Sequence, residues 1–544
     1  MKRWQAIALT GTAATAGTLA AILLIRHYKK KKALAPALSE QKGEKGDPGE
    51  PGIGIEKTEI VNGELILTYT NGETVNLGAI VQEESDFDFF PMPNGTYGIK
   101  AGKKLYLDEL TLPKTYCEKP ITAILPNAFE NAVNLVRLTL PESITYVSES
   151  AFRACKKLIY HQVDGVNYLG SGENPCLVAV SPLSKELRTL TLAPTCKVIA
   201  DAAFADCDKL ESVSVPADLS HVGFGAFFGC TSLERVEIED VAAWCSIHFD
   251  CSHENYSANP LCYADKLLIN GVEAEHLVIP EGVTALPCCA CSSSALKTVS
   301  LPSTLVKIGD FAFDKCRSLE CISIPASVSK IGKSILYECE ALSEITVDPE
   351  NTVYHSAENC LIETASKTLI AGCAASVIPS DGSVTAIGDF AFSGCDRLAR
   401  LVIPESVSTI GASAFLGCTD LEQVSIPFPK STTHLGQLFA ADTDVDPRYF
   451  VPRSLKDIAL TGDEIPTQGL TDCDSIVRAT IGSGINRIGA GAFGGCRKLI
   501  SVVFENPIGW TVNETSINTD DLSNPTTAAN LLTHTYVQNV WERK

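Results

Sequence analysis

Cysteine and histidine are the residues of this chain whose types and spacing could do chemistry. A thiolate is a nucleophile and a ligand for soft metal ions, and the chain has 21 cysteines and 9 histidines. Cys288, Cys289 and Cys291 stand together, and Trp244-Cys245-x-x-His248 places a thiol close before an imidazole. The first group could bind a metal ion, and the second could form a nucleophile with its base.

Spacing alone supports neither site. Zinc sites usually combine two Cys-x-x-Cys pairs at a defined distance, whereas Cys288, Cys289 and Cys291 form one cluster in a divergent coil, where we expect structural cysteines. The Cys245–His248 spacing suits an apolar segment equally well. The chain contains no His-Glu-x-x-His, Gly-x-Ser-x-Gly, phosphate loop or dinucleotide fingerprint. We therefore predict no catalytic residue, cofactor or metal ion, and a protein that is not an enzyme.

Most of the cysteines instead mark a repeat. Cys-x-x-Leu recurs in phase with Ala-Phe and Ile-Pro, and from Leu301 to Val347 the period is 23 residues, so that Cys316 returns as Cys339. A fixed period of this length is typical of a solenoid, whose coils bury their apolar faces against one another. We expect buried, unpaired thiols at this repeat position, because cysteine is a small apolar side chain there. The cysteines expected to be unreactive thiols are Cys207, Cys230, Cys316, Cys339, Cys395 and Cys418.

Each coil should carry a short strand after the Cys-x-x-Leu corner. In the stretch from Leu319 to Ile324, alternate apolar side chains should point inward, and Pro325 ends the strand because it has no N–H to donate. The same phase places Ser212 outward. The outward positions form a candidate protein-binding face, although a purely solvated sheet face would have the same composition. The residues of this candidate face are Glu211, Glu234, Arg235, Glu237, Glu320, Ser323, Glu344, Thr346, Arg400, Glu422 and Gln423.

The outward strip contains no tryptophan or tyrosine, the residues that most often dominate binding energy at interfaces. The irregular stretches between regular coils do contain aromatic side chains. We therefore predict that some of these residues supply further contacts to a partner: Trp244, Phe249, Tyr256, Tyr263, Tyr449 and Phe450.

The repeat resembles the BspA-like class of leucine-rich repeats. The pattern Ile-Pro-x-Ser-Val-x-x-Ile-Gly-x-x-Ala-Phe-x-x-Cys-x-x-Leu-x-x-Val-x-Ile-Pro is present from Ile403 to Pro427. The resemblance covers about residues 121 to 510, except the irregular stretches Val241–His276, Asp348–Val377 and Phe428–Ile465. It implies a β-rich leucine-rich repeat solenoid. Because the family is known mostly from bacterial surface proteins and adhesins, it also implies a place on the cell surface.

The N-terminal region predicts a membrane anchor. The run from Ala6 to Ile25 has no charge and is long enough to cross a bilayer, so a transmembrane helix precedes the solenoid in the predicted fold. A cleaved signal segment is the alternative. The basic flank from Arg26 to Lys32 favours a cytoplasmic position for the following domain, whereas the resemblance favours an extracellular one.

The remaining chain divides by composition and pattern. A Gly-X-Y stretch at 43–52 is collagen-like, Asn71-Gly72 predicts a hairpin turn, and a short helix is expected from Asn530 to Glu542. The predicted parts are an anchor or signal at 1–32, a linker with the collagen-like stretch at 33–54, a small β-hairpin module at 55–82, an N-terminal cap at 83–120, the solenoid at 121–510 and a C-terminal cap at 511–544.

Charge restricts the class of partner. The net charge of −21 at pH 7 argues against a nucleic-acid binder, which needs a basic surface. We expect a membrane-anchored surface protein that contacts the membrane through residues 6–25 and binds another protein, with host and matrix proteins among the candidates. Two alternatives stay open: a structural spacer of the envelope without a dedicated ligand, and an anchored interaction protein that faces the cytoplasm.

Overall fold

The computed structural model describes residues 55–61, 64–79, 87–102, 106–251, 255–428, 432–440 and 450–544. They belong to two compact units, one ending at Glu84 and the other beginning at Ser85. The predicted membrane span at 6–25 and the Gly-X-Y stretch at 43–52 lie outside the described residues. Within the described ranges, no helix is both long and apolar enough to cross a bilayer.

The smaller unit is a three-stranded antiparallel sheet, in the region that the sequence predicted as a small β-hairpin module with a turn at Asn71-Gly72 and a candidate second turn at Asn62-Gly63. Its strands are Ile55–Val61, Glu64–Tyr69 and Thr74–Ala79, paired in chain order. The predicted turn at Asn71-Gly72 is confirmed: Gly72 has φ +83° and its N–H donates to the Tyr69 carbonyl. The added strand is physically reasonable, because an isolated two-stranded hairpin is marginally stable in water.

The larger unit is a solenoid whose coils each contribute a strand to a front ladder. The strands run parallel and in register, so that Val213, Val236 and Leu267 are neighbours in successive coils. The front strands are Glu109–Thr111, Arg137–Thr139, Thr189–Thr191, Ser212–Val215, Arg235–Ile238, Lys266–Ile269, His276–Val278, Thr298–Ser300, Cys321–Ile324, Glu344–Val347, Arg400–Val402, Gln423–Pro427, Asp457–Thr461, Arg478–Ile481 and Ser501–Phe504.

A second set of mostly shorter strands forms a back ladder on the returning side of the coil. These strands coincide with the Ile-Gly position of the repeat, where Gly309 and Gly332 each donate an N–H to the preceding coil. The back strands are Tyr97–Ala101, Lys119–Ile124, Tyr146–Val147, Val178–Pro182, Val198–Ile199, His221–Val222, His248–Phe249, Ala285–Leu286, Lys307–Ile308, Lys330–Ile331, Thr368–Ala371, Ala386–Ile387, Thr409–Ile410, Glu464–Ile465 and Arg487–Ile488.

The core between the ladders is organised by stacked phenylalanines. Phe392 and Phe415, which are one period apart, are fully buried with ring centroids 5.6 Å apart. Phe204 and Phe227 repeat the arrangement at 5.7 Å. Each ring therefore contacts its equivalent in the next coil, which no single coil could provide for itself.

The repeat cysteine connects successive coils by a hydrogen bond as well as by packing. The Cys230 thiol donates to the Phe204 carbonyl at 3.3 Å, and the Cys418 thiol donates to the Phe392 carbonyl at 3.2 Å. Further bonds of this kind run from the thiols of Cys155, Cys316, Cys339 and Cys496 to the preceding coil. A buried carbonyl is costly without a donor, so the thiol has a polar role that the sequence interpretation did not include.

Two groups of three antiparallel strands interrupt the back ladder, and each of them begins a new sheet. One comprises His161–Val163, Val166–Leu169 and Val178–Pro182, and the other Tyr354–Ala357, Cys360–Glu363 and Thr368–Ala371. The hydroxyl of Tyr354 accepts the Ile331 N–H at 3.2 Å, and that of Tyr168 accepts the Ala193 N–H at 3.0 Å. At Ile331, which lies in a back strand, the tyrosine oxygen thus takes the place of a ladder carbonyl.

The two ends of the solenoid are capped, with boundaries that differ from the prediction. At the N-terminus the hairpin Phe87–Pro91 and Tyr97–Ala101 covers the first back strands, and Thr115–Tyr116 pairs with Lys119–Ile124. The front strand Glu109–Thr111 already pairs with Arg137–Thr139, so the first coil begins inside the region predicted as cap.

The C-terminal cap departs from the predicted helix at Asn530–Glu542. Its last strand runs antiparallel to the final back strand, so Trp541 lies in a strand, where it packs near Trp510 and Phe504. The helical part starts earlier because Asn524 caps it and Pro525 occupies its first position. The cap consists of strands Trp510–Val512, Thr515–Ser516 and Trp541–Arg543, helices Thr519–Ser523 and Pro525–Asn530, and a π-helical turn Leu531–Thr535.

The phenylalanine stack yields a stability prediction. Replacing Phe415 with alanine removes a ring in contact with Phe392 and Phe439, and we expect it to lower the free energy of unfolding by about 3–5 kcal/mol. Urea unfolding of the full chain, followed by circular dichroism, measures the loss. Phe228, which is 54% exposed, is the matched control, and its alanine variant should lose less than about 1 kcal/mol. A loss below about 0.5 kcal/mol for the Phe415 variant would contradict the stacking role.

The buried thiols yield a second prediction. Burial raises the pKa of the Cys230, Cys316 and Cys418 thiols to about 12, and only the thiolate reacts with alkylating reagents. We expect these cysteines to be alkylated at pH 8 only after the protein unfolds, whereas the exposed Cys117 and Cys321 should react within the folded state. Peptide mass spectrometry after timed alkylation distinguishes the two classes. Disulfides between successive repeat cysteines in native material would contradict the assignment.

Candidate functional site

The eleven residues of the predicted binding face all lie at the surface, but not on one continuous sheet. The front ladder is divided, and one segment carries the residues from Glu211 to Glu237, a second those from Glu320 to Thr346, and a third those from Arg400 to Gln423. Glu237, Thr346 and Glu211 are half-buried and the others are exposed. Ser212 was expected to point outward but is buried: it lies in register between Thr189 and Arg235, and its hydroxyl donates to Thr189 Oγ1.

Many charges of the front face are paired with the neighbouring strand. Lys297 Nζ lies 2.6 Å from Glu275 Oε2, and Arg478 lies 2.6 Å from Asp457 Oδ2. Arg188 pairs with Glu211 in the same way. Exposed pairs of this kind contribute little to stability, but they reduce the charge that the face presents to a partner.

The third segment contains a shallow depression of about 230 Å³, which we call the C-terminal depression. Small side chains form its floor, and Arg400, Gln423, Asp457 and Arg478 stand in register along one side of it. Arg400 is exposed and has no ion-pair partner in the part of the chain that the structure describes. The depression is lined by Arg400, Leu401, Val402, Gln423, Val424, Ser425, Asp457, Ile458, Ala459, Arg478, Ala479, Thr480, Ser501 and Val503.

Sequence reasoning identified only part of this depression. Arg400 and Gln423 belong to the predicted face. Asp457, however, lies within the irregular stretch Phe428–Ile465, across which the period is lost, and Arg478 follows that stretch. The alternation in Arg478–Ile481 was the available signal, because its apolar residues are buried in the same phase as those of Gln423–Pro427.

The aromatic residues of the irregular stretches mostly belong to the core, contrary to the prediction. Trp244 lies on the short helix Val241–Ser246, is 2% exposed and donates its indole N–H to the Ala290 carbonyl at 2.8 Å. Phe249 is buried against it. Both residues point inward because the insertion Val241–His276 contributes a strand to each ladder. The apolar side chains of the insertion therefore complete the core between the ladders.

The other aromatic residues differ in their placement. Tyr256 and Tyr263 are half-buried; the first donates its hydroxyl hydrogen to Asp310 Oδ2 at 3.0 Å, and the second accepts the Gly229 N–H. Phe450 is half-buried, and Tyr449 lies outside the described residues. At the described positions, none of the aromatic side chains that were predicted to contact a partner is exposed.

The back ladder is open beside the insertion. His248–Phe249 ends one sheet and Ala285–Leu286 begins the next. In later coils, the back strand is followed by a glycine, such as Gly309, whose N–H donates to the preceding coil. The coil that contains Ala285 has Pro287 at the equivalent position, and proline has no N–H to donate. Residues of both strand edges line a cleft of about 900 Å³, which we call the insertion cleft.

The Cys245–His248 spacing does not produce a nucleophile with its base. Cys245 is buried, and burial raises the pKa of its thiol to about 12. The His248 side chain is exposed, and a hydrogen bond from its Nε2 to Asp250 Oδ1 at 3.1 Å raises the pKa of the imidazole. A thiol that stays protonated at neutral pH is a poor nucleophile.

The cysteine cluster is structural in a way that the sequence did not reveal. Cys289 and Cys291 are buried thiols, whereas Cys288 forms a disulfide with Cys251 of the insertion. The bond joins residues 37 positions apart, and no spacing rule pairs such positions. Among the residues that the structure describes, no group of three or more His, Cys, Asp or Glu side chains is arranged to hold a metal ion.

Comparison with known proteins identifies the repeat. The BspA type leucine rich repeat region, a family profile matched in 6 copies, covers residues 99–172, 183–255, 266–380, 363–462 and 443–533. A search of curated proteins found no match.

Solved structures with similar chains include several leucine-rich repeat proteins. A leucine rich cell surface protein from Faecalibacterium prausnitzii is 22% identical, with 78% of this chain and 94% of that chain covered and a TM-score of 0.36. A leucine-rich repeat protein from Bacteroides ovatus is 19% identical, with coverage of 80% and 98% and a TM-score of 0.27. The pneumococcal vaccine antigen PcpA is 14% identical, with coverage of 84% and 83% and a TM-score of 0.25.

The stacked parallel strands, the 23-residue period and a family match over most of the chain lead to one conclusion: this protein belongs to the BspA type leucine-rich repeat family.

Proposed function

We propose that this chain is a membrane-tethered cell-surface protein that binds another protein through its front face and catalyses no reaction. The observation that carries the proposal is the C-terminal depression. Its floor is made of small side chains. At its side, Arg400 is exposed, lies opposite Gln423 of the next strand, and lacks an ion-pair partner in the described part of the chain.

The chemistry of the depression indicates the kind of partner. Arg478 is already engaged by Asp457, so the Arg400 guanidinium is the charge available to a ligand. Guanidinium groups bind carboxylates through two parallel hydrogen bonds. The exposed Val402 and Val503 add apolar surface at the rim. These features suit an extended or looped protein segment that presents an Asp or Glu beside a small apolar side chain, in a host or matrix protein.

The anchor and the outward orientation are part of the proposal. The uncharged run at residues 6–25 supports membrane attachment, and long domains translocate largely regardless of the charges that flank the anchor. The basic flank from Arg26 to Lys32 supports the opposite, cytoplasm-facing orientation.

One observation favours a second candidate, a spacer of the envelope without a dedicated ligand. Cross-strand ion pairs such as Lys297–Glu275 occupy much of the front face. A face that only needs to remain solvated would have this arrangement, since its charges satisfy one another.

A binding experiment tests the first proposal. The double variant Arg400→Glu/Gln423→Glu should reduce affinity for a captured partner at least about tenfold, because it opposes the incoming carboxylate with like charge. The partner is obtained by replacing Gln423 with a photo-crosslinking residue and exposing the protein to purified matrix proteins and envelope extract.

Two controls accompany the binding experiment. Glu320→Ala lies on another segment of the front face and should change affinity less than about threefold. A crosslinker at the exposed Phe228 should not capture the same partner. If no protein is captured at position 423, while deletion of the protein alters envelope spacing, the spacer function is correct.

Cell-surface labelling tests the orientation. An epitope appended after Lys544 should bind antibody on intact cells, and proteolytic shaving of those cells should remove it. An epitope that becomes accessible only after permeabilisation would place the solenoid in the cytoplasm and would contradict the outward orientation.

A further inference from the structure

The insertion Val241–His276 brings a second pair of cysteines together beside the disulfide. Cys262 Sγ lies 2.9 Å from Cys289 Sγ. Bonded sulfur atoms are about 2.05 Å apart, so closing this pair needs a displacement on the order of 1 Å. Cys288 and Cys289 are adjacent in the chain, and the first is bonded to Cys251.

The backbone around this second pair is already fixed by hydrogen bonds. Cys262 ends the short 3₁₀ turn Pro260–Cys262, which Asn259 caps, and the Asn259 amide also donates to the Cys288 carbonyl at 2.6 Å. On the other side, Lys315 Nζ donates to the Cys262 carbonyl at 3.1 Å. These contacts hold the turn against the segment that carries Cys289, so oxidation requires little movement of the backbone.

One sulfur atom of each cysteine pair lies near the same carbonyl oxygen. The Cys262 thiol donates to the Tyr256 carbonyl at 2.8 Å, and Cys251 Sγ lies 3.8 Å from the same oxygen. Tyr256 in turn donates to Asp310 of the following coil. The two cysteine pairs and this tyrosine therefore fasten the insertion to the coil beyond it, along the wall of the insertion cleft, which Cys251, Tyr256 and Cys288 line.

We propose that Cys262 and Cys289 form a second, reversible disulfide, and that the two adjacent bonds are a redox-controlled clasp between the insertion and the following coil. The role is independent of the proposed binding at the front face.

The oxidation balances with a low-molecular-weight disulfide, RSSR, as the oxidant. The half-buried Cys262 attacks one sulfur of RSSR as its thiolate, which forms a mixed disulfide and releases the first RS⁻. Cys289 then loses its proton to solvent and attacks Cys262 Sγ, which breaks the mixed bond and releases the second RS⁻. The two thiol protons end on the two RSH products, RSSR is reduced, and the cysteine pair is oxidised.

The surroundings of Cys289 affect the rate of this reaction. Its contact with Cys262, together with burial, raises the pKa of the Cys289 thiol, while the nearby Lys315 opposes the increase. The second step should therefore be slower than the first and should accelerate at higher pH, because a larger fraction of Cys289 is then thiolate.

Thiol counting on the full-length protein tests the proposal directly. The protein is incubated with oxidised glutathione, denatured in acid and alkylated, and its thiols are counted by mass spectrometry. Glutathione adducts on the exposed Cys117 and Cys321 are identified by their added mass and counted separately. Apart from them, we expect two fewer free thiols than the 19 of the structure, with Cys262 and Cys289 as the missing pair. Full reduction should restore all 21.

Variants assign the bond. In a Cys251→Ser/Cys288→Ser background, oxidation should still link Cys262 to Cys289, and adding Cys262→Ser should abolish the link. Cys291→Ser is the matched control, because it removes a cysteine from the same peptide without touching the pair. If the double variant fails to fold, fragment-ion mapping of the wild-type crosslinked peptides assigns the same bond.

The clasp should also be visible in local opening. Oxidation should slow proteolytic cleavage within residues 251–262 about tenfold relative to the reduced protein, and the Cys262→Ser variant should lose this redox dependence. An unchanged count of 19 thiols after oxidation, or a link between Cys289 and any cysteine other than Cys262, would overturn the proposal. One zinc ion per chain that protects all four cysteines from alkylation would also overturn it.

Discussion

The hydrogen bonds that repeat thiols donate to carbonyls of the preceding coil, together with the stack of phenylalanine rings, are the constraint on which the rest of the solenoid depends. In one coil, for example, Cys418 donates to the Phe392 carbonyl while the Phe415 ring stacks on Phe392. Both contacts require the Ala-Phe-x-x-Cys side of the coil to keep a fixed length. Each of the three irregular stretches begins directly after a front strand, at Ile238, Val347 or Pro427.

This constraint also explains what could be predicted from the sequence. The period, the front-strand phase and the buried thiols depend on residues that repeat, so one coil predicts the next. The surface position of the eleven face residues, eight of them exposed and three half-buried, followed from that phase, although their role in binding stays a prediction. The smaller unit, the cap boundaries and the C-terminal helix were predicted less well, because each is a single structure without a second copy to compare.

Contacts between distant segments account for the remaining differences. Ser212 is buried because of its neighbours in adjacent coils, and Trp244 turns inward because the insertion completes the core. The Cys251–Cys288 disulfide joins the insertion to the coil that follows it, and no periodicity specifies the relative position of these two cysteines. The interruption of the back ladder at Pro287 was also not predicted. It becomes clear only when Pro287 is aligned with the glycine that donates its N–H in later coils. Only part of the C-terminal depression was predicted from the sequence. Arg478 was missed because an irregular stretch separates it from the regular coils that contain Arg400 and Gln423.

The antiparallel strand Trp541–Arg543 has a consequence for how such genes can change. This strand runs antiparallel to the back strands and pairs with Arg487–Ile488 and Trp510–Val512. The pairing of the cap therefore involves only the end of the solenoid and does not depend on the number of coils that precede it. Unequal recombination between repeats of the same pattern could then delete or duplicate whole coils in the regular region. The last coil of the resulting protein would still be covered by the same C-terminal cap. The length of the solenoid would become a heritable property, adjustable in steps of one strand spacing, about 4.8 Å, without new core residues or a new terminus.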